Sequence, residues 1–109
     1  MSVRLFGASQ PVMNLKDAYL ITLTALVRKK ASLFLLLAAE GTARRRWISP
    51  SAESLFVTSP HLAIDHAHEI APSWFVDTNL SRAQIIARLT MAAQLAGFRY
   101  GEDLVIIEG

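Results

Sequence analysis

The clearest pattern of apolar and polar positions in this chain is a capped helix near its C-terminal end. Ser81 can accept hydrogen bonds from the first turn, and Gln84, three residues on, can reach back to the N–H of Ser81. Gly97 supplies a left-handed stop. The sequence therefore predicts a helix over residues 82–96. Its predicted core stripe consists of Ile85, Ile86, Leu89, Ala92, Ala93 and Ala96.

A second helix is predicted from Asn14, which serves as its N-cap and has Asp17 three residues further on. The residues that follow are apolar on nearly all sides, up to the three cations Arg28, Lys29 and Lys30. A helix of this kind lies at the centre of a core, or between a sheet and a partner.

The apolar run at residues 32–39 fits two structures. Leucine and alanine favour continuation of the helix. The same residues also fit a strand that is buried on both faces and followed by a turn at Gly41 into residues 45–48. Periodicity does not distinguish a helix from a strand in so short an apolar run. The cations before the run suit a helix C-terminus, so we favour the strand.

Turn signals bound the remaining segments. Strands are predicted at residues 3–6, 55–58, 74–77 and 104–107. Ser59 and Pro60 begin a further predicted helix, which should end before Pro72. This order of elements predicts the α+β class, as a single small domain over residues 1–109 with a mixed or antiparallel sheet packed against two or three helices.

Composition adds an expectation about partners. Hydrophobic residues make up 52% of the chain and charged residues 18%, whereas typical soluble domains carry roughly 25% charged residues. A chain of this size and this apolar content is expected to bury part of its surface, either in a homo-oligomer or against another protein. On the helix at 82–96, Met91 and Leu95 fall outside the core stripe beside Arg88, and these three residues form the predicted partner surface.

Cations suggest a second class of partner. Arg44, Arg45 and Arg46 precede Trp47, and Arg28, Lys29 and Lys30 lie upstream. Arginines that bind phosphate beside a tryptophan that stacks on bases are typical of nucleic-acid binding. If residues 32–39 and 45–49 form a hairpin, both clusters meet at one sheet edge. The alternative is a basic helix end and a charged edge strand that prevents aggregation.

All three histidines lie in the predicted helix after Pro60. On a helix, His61, Asp65 and His68 would share one face, as ligands of zinc or a similar ion would. We expect this face to be solvated instead, because Ala63, Ile64, Ala67 and Ile70 would form the buried side. A metal-dependent enzyme using the polar face is the alternative.

The sequence thus predicts a small binding or accessory module, and a homodimer rather than an enzyme is expected. It contains no cysteine, which excludes disulfides and thiolate metal sites and suits a reducing, cytoplasmic location. No cofactor is expected. No membrane partner is expected either, since no apolar run approaches the ~20 residues that span a bilayer.

Overall fold

The computed structural model describes residues 1–42 and 45–108. The chain belongs to the α+β class, as predicted, and its strands form two three-stranded antiparallel sheets. Its internal contacts divide it into two compact units. The first unit comprises residues 1–33 and 81–108, and the second unit comprises residues 34–80. The single-domain organisation stays a prediction.

The sheet of the first unit consists of β1 (Ser2–Leu5), β2 (Ala8–Pro11) and β6 (Leu104–Ile107), in the order β2-β1-β6. Phe6 and Gly7, with φ angles of 51° and 89°, join β1 to β2, as a two-residue hairpin with positive φ at both turn positions requires. The predicted first and last strands are confirmed. Strand β2 was not predicted, because it is short and every residue in it is exposed.

Two helices complete the first unit: α1 (Leu15–Lys29), which packs against β1, and α4 (Arg82–Leu95), which packs against α1. Their contact buries the inner positions of the sheet and one side of each helix. The fully buried apolar residues of this unit include Val3, Ala18, Leu26, Leu89, Ala92, Ala93 and Leu104.

Both predicted helix caps are confirmed. Ser81 Oγ accepts from the N–H of Gln84 at 3.2 Å, and the N–H of Ser81 donates to Gln84 Oε1 at 2.8 Å. Asn14 Oδ1 accepts from the N–H of Asp17 at 2.8 Å. The Asp17 carboxylate reaches the N–H of Met13, at 2.9 Å, instead of that of Asn14. The second half of the capping box therefore closes one residue earlier.

The second unit contains a small sheet made of β3 (Ile48–Ser49), β4 (Ala67–Ala71) and β5 (Trp74–Asp77), in the order β3-β5-β4. Two short helices, α2 (Leu33–Ala38) and α3 (Ala63–His66), and two 3₁₀ turns, Glu53–Leu55 and Pro60–Leu62, account for its other elements. Its buried apolar residues are Leu37, Ile48, Leu55, Phe56 and Val76.

The strand preferred for residues 32–39 is wrong, since residues 33–38 form helix α2. Leu33 and Leu37, one helical turn apart, are buried, while Leu35 between them is 69% exposed. A strand would have placed all three side chains on one face. Helix propensity and the burial of two positions four residues apart decide in favour of the helix.

Two other predicted elements are also wrong. Residues 55–58 form no strand, because Glu53–Leu55 is a 3₁₀ turn followed by the buried Phe56. The helix predicted after Pro60 stops at His66, and residues 67–71 become β4. Strand β5, whose prediction is confirmed, needs hydrogen-bonded neighbours, and β4 supplies one side of it. This pairing outweighs the helical pattern of the sequence.

Candidate functional site

Helix α1 buries only one side. Its buried positions are Ala18, Tyr19, Thr22, Leu23, Leu26 and Val27. At about 100° per residue these cover roughly half of the helix circumference. The other half carries Asp17, Leu20, Ile21, Thr24, Ala25 and Arg28. None of these six is fully buried, and three of them are apolar.

The exposed side of α1 forms one wall of a groove, which we call the α1 groove. The hairpin of β1 and β2 forms its other wall. The groove has a volume of about 300 Å³. It is lined by Leu5, Gln10, Leu20, Ile21, Thr24, Ala25 and Arg28. It exists because the helix packs against β1 and leaves the neighbouring edge strand β2 exposed along its whole length.

The middle of this helix face carries no charge. Thr24 is its one polar residue, and its hydroxyl donates to the backbone oxygen of Leu20 at 2.8 Å. This polar group therefore needs no partner from outside the helix. Between Asp17 at one end and Arg28 at the other, the face presents an uncharged strip about 16 Å long.

A second depression extends this surface past the start of α1. It is lined by Met13, Asn14, Lys16, Asp17 and Leu20, and its volume is about 200 Å³. Leu20 lines both depressions. Met13 is 86% exposed, an unusual state for a large apolar side chain. Asn14, Lys16 and Asp17 therefore separate the exposed Met13 from the uncharged strip of α1.

The predicted partner surface on α4 is only partly exposed. Met91 is 36% exposed, and Leu95 is half-buried with its backbone oxygen accepting from Lys30 Nζ at 3.1 Å. Arg88 is buried, with 8% exposure, so its assignment to an outer surface is wrong. Arg88 lies only about 40° around the helix axis from buried Ala92, which explains why the core stripe includes it.

The predicted nucleic-acid cluster is divided by intramolecular contacts. Arg45 binds buried Asp77 through two hydrogen bonds, Nε to Oδ2 at 2.6 Å and Nη2 to Oδ1 at 3.2 Å. Its Nη2 also donates to the backbone oxygen of Asn79. Arg46 is exposed and Trp47 half-buried. Arg44 lies outside the described residues.

The upstream cations have contacts of their own within the first unit. Lys29 Nζ lies 4.7 Å from the centre of the Phe6 ring. Lys30 donates to Leu95 near the end of α4, where a cation complements the helix dipole. Arg28 is exposed at the end of the α1 groove. The hairpin expected to join the two basic clusters does not form, since residues 33–38 are helical.

The histidines do not share a helix face. His61 lies in a 3₁₀ turn, Asp65 in α3 and His68 in strand β4, and all three are exposed. The predicted helical arrangement is therefore wrong. Across residues 1–42 and 45–108, no three histidine, cysteine or carboxylate side chains are grouped to hold a metal ion. The third histidine, His66, contacts Thr78 through its backbone oxygen. The N–H and the hydroxyl of Thr78 both donate to that oxygen, each at 2.8 Å.

No protein-family model, no curated protein and no solved structure matches this chain. None of the helices in the described part of the chain is long and apolar enough to cross a bilayer. The α1 groove has no signal in the sequence beyond the nearly all-round apolar pattern of α1, which fits either the centre of a core or a position between a sheet and a partner.

Proposed function

We propose that this protein is a small non-catalytic binding module, which acts through protein–protein contacts as a homodimer and uses the α1 groove as its contact surface. The observation that supports the proposal is the uncharged strip of α1, whose apolar side chains Leu20, Ile21 and Ala25 the packing of the chain leaves partly exposed. Apolar surface of this kind gains roughly 25 cal/mol for each Å² removed from water.

We prefer the α1 groove to the surface expected on α4 because of its shape. The α4 surface consists of exposed Met91 and half-buried Leu95, since Arg88 is buried. The α1 groove holds Leu20 and Ile21, both half-buried, between the helix and the flanking hairpin. Concave surfaces that combine apolar and polar side chains are typical of binding sites.

The composition supports the same proposal. With 52% hydrophobic and 18% charged residues, the chain has few charges to keep copies apart. We also propose a cytoplasmic location, with which a cysteine-free sequence is compatible.

A pair of matched alanine substitutions tests the proposed function. Ala25 is half-exposed in the α1 groove, and Ala87 is exposed on α4. By sedimentation equilibrium at micromolar concentration, the wild type should have twice the monomer mass. Ala25→Glu should be monomeric, because it would bury an unpaired charge. Ala87→Glu should remain dimeric.

Three results would overturn this proposal or move its surface. A wild type that is monomeric at high concentration would remove the homodimer. Equal behaviour of the two glutamate variants would show that α1 is not the contact. Loss of the dimer in Met91→Glu, with Ala25→Glu unaffected, would move the contact to α4.

Nucleic-acid binding is a second candidate, favoured by one observation. Lys29 lies over Phe6, whose ring meets Phe98 edge-on at 4.9 Å. Arg99 and Tyr100, together with Phe98, line a neighbouring cavity of about 470 Å³. Cations among aromatic rings are typical of surfaces that bind single-stranded nucleic acid.

A labelled single-stranded oligonucleotide tests this second candidate. Its affinity should fall steeply with salt and be lost in Arg99→Ala. An absence of binding at low salt would exclude this function. Arg45 is a poor choice for the same test, because it holds buried Asp77 and its loss would disturb the fold.

A further inference from the structure

We propose that the occupant of the α1 groove is the α1 helix of a second copy of this chain, docked antiparallel so that Asp17 of each copy faces Arg28 of the other. The inference rests on the proposed function and adds to it the orientation and register of the contact. It is drawn from the order of side chains along the exposed face of α1.

Charge determines the orientation of the two helices. Asp17 and Arg28 lie at opposite ends of the face, eleven residues apart. In a two-fold contact, residue i of one copy meets residue j of the other, and j meets i. An antiparallel pair therefore forms the Asp17–Arg28 contact twice. A parallel pair would set Asp17 against Asp17 and Arg28 against Arg28, and like charges so placed are repulsive.

Side-chain size supports the same register. When Asp17 faces Arg28 across the two-fold axis, Leu20 faces Ala25 and Ile21 faces Thr24. Each large side chain thus meets a small one, the arrangement in which helix surfaces interdigitate. The Thr24 hydroxyl is already bound to the backbone oxygen of Leu20, so the contact would not bury an unsatisfied polar group there.

The neighbouring lysines do not oppose this register. Lys16 and Lys29 also face each other in it, but each lies about 110° around the helix from the middle of the exposed face. Lys29 is turned to the Phe6 ring, at 4.7 Å from its centre. Both lysines are exposed, so their charges stay in water at the margin of the contact.

Charge reversal tests the register. Arg28→Glu sets one carboxylate against another at both ends of the contact, and Asp17→Lys sets one cation against another. Each variant alone should self-associate at least tenfold more weakly than the wild type in sedimentation equilibrium, which is about 1.4 kcal/mol. An equimolar mixture of the two should form heterodimers, because each of the two contacts in the mixed pair joins one carboxylate and one cation.

Two further variants keep the test decisive. Lys29→Glu makes the same charge change one residue beyond Arg28, outside the face, and should leave the dissociation constant within about twofold of wild type. Asp17→Lys also removes the acceptor of the Met13 N–H. If that variant does not fold, Asp17→Asn keeps an acceptor oxygen, and Arg28→Glu/Asp17→Asn should associate more tightly than Arg28→Glu.

The outcomes separate this inference from the proposed function. A monomeric wild type would overturn both. A dimer that is lost in Ala25→Glu but indifferent to Arg28→Glu would keep the α1 groove and overturn the antiparallel register. Failure of the mixture to form heterodimers, with both variants folded, would also overturn the register.

Discussion

Replacing Arg45 with alanine should destabilise the protein far more than replacing its neighbour Arg46. Arg45 holds the carboxylate of Asp77, which has no exposed surface, through two charge-assisted hydrogen bonds. Its guanidinium also lies over the ring of Phe56, with 5.6 Å between Cζ and the ring centre. Removal of Arg45 would take two charge-assisted hydrogen bonds from this buried carboxylate, which would still accept from the N–H of Asn79 at 2.8 Å.

The expected magnitude follows from these exposures. Breaking a buried ion pair by removal of one partner costs about 3–5 kcal/mol. The side chain of Arg45 is 34% exposed, so water screens part of the interaction. We therefore expect a loss near the lower end, about 3 kcal/mol. Arg46→Ala, on an exposed side chain, should change the free energy of unfolding by less than about 0.5 kcal/mol.

Urea unfolding followed by tryptophan fluorescence measures this difference. The chain has two tryptophans, Trp47 and Trp74, and both lie in the second unit with Arg45. With a slope of roughly 1.5 kcal/mol per molar urea, the midpoint of Arg45→Ala should fall by about 2 M. The double variant Arg45→Ala/Asp77→Asn should recover part of the loss, because it removes the buried charge and keeps an oxygen that can accept from the N–H of Asn79.

A loss below about 1 kcal/mol for Arg45→Ala would refute this reasoning, because it would show that Asp77 is not isolated from water. A double variant no more stable than Arg45→Ala would show that the loss comes from something other than the buried charge of Asp77. Equal effects of Arg45→Ala and Arg46→Ala would mean that the buried contact has no special importance.

The remaining predictions concern pH, backbone geometry and cooperativity. The hydrogen bond from Arg82 lowers the pKa of Glu108. The stability that this pair adds at neutral pH should therefore disappear as pH falls through the lowered pKa. The difference in Tm between wild type and Glu108→Gln should then vanish in acid. Gly41→Ala should cost more stability than Gly97→Ala: both glycines have φ near 90°, but only at Gly41 would the new Cβ meet a backbone oxygen, that of Arg45, at 2.6 Å. If the chain is a single domain, unfolding followed by tryptophan fluorescence and by far-ultraviolet circular dichroism should give one midpoint, and two midpoints would contradict that organisation.

Elements fixed by local chemistry were predictable from the sequence. The capped starts of α1 and α4 depend on contacts between residues three positions apart, Asn14 with Asp17 and Ser81 with Gln84. The Gly97 stop has the expected positive φ of 88°. Each of these features is determined by residues within one helical turn, so the local sequence alone predicts it.

Elements fixed by distant pairing were not predictable. Residues 60–71 carry apolar positions at helical spacing, yet residues 67–71 pair with β5 across a turn at Pro72 and Ser73. The gain from that pairing depends on a segment outside the window in which periodicity is read. The predicted histidine face is wrong for the same reason, since it required a helix that continues through His68.

The sequence did not indicate which side of α1 stays exposed. The nearly all-round apolar pattern of α1 fits a position between a sheet and a partner as well as the centre of a core. Which side stays open depends on where β1 and α4 pack, and no local pattern records that. Helix α4 shows the converse error, because Arg88 at the margin of the core stripe is buried.

The number of cations in this chain does not indicate its partner, because several of them already have contacts within the chain. Arg45 neutralises Asp77, Lys29 lies over an aromatic ring, and Lys30 caps a helix end. A cation engaged in this way has less to offer a phosphate, since the contact would have to be exchanged. Arg28 differs, because it is exposed at the end of an uncharged strip that has Asp17 at its other end. In that position it is available for the contact with Asp17 of a second copy that we propose.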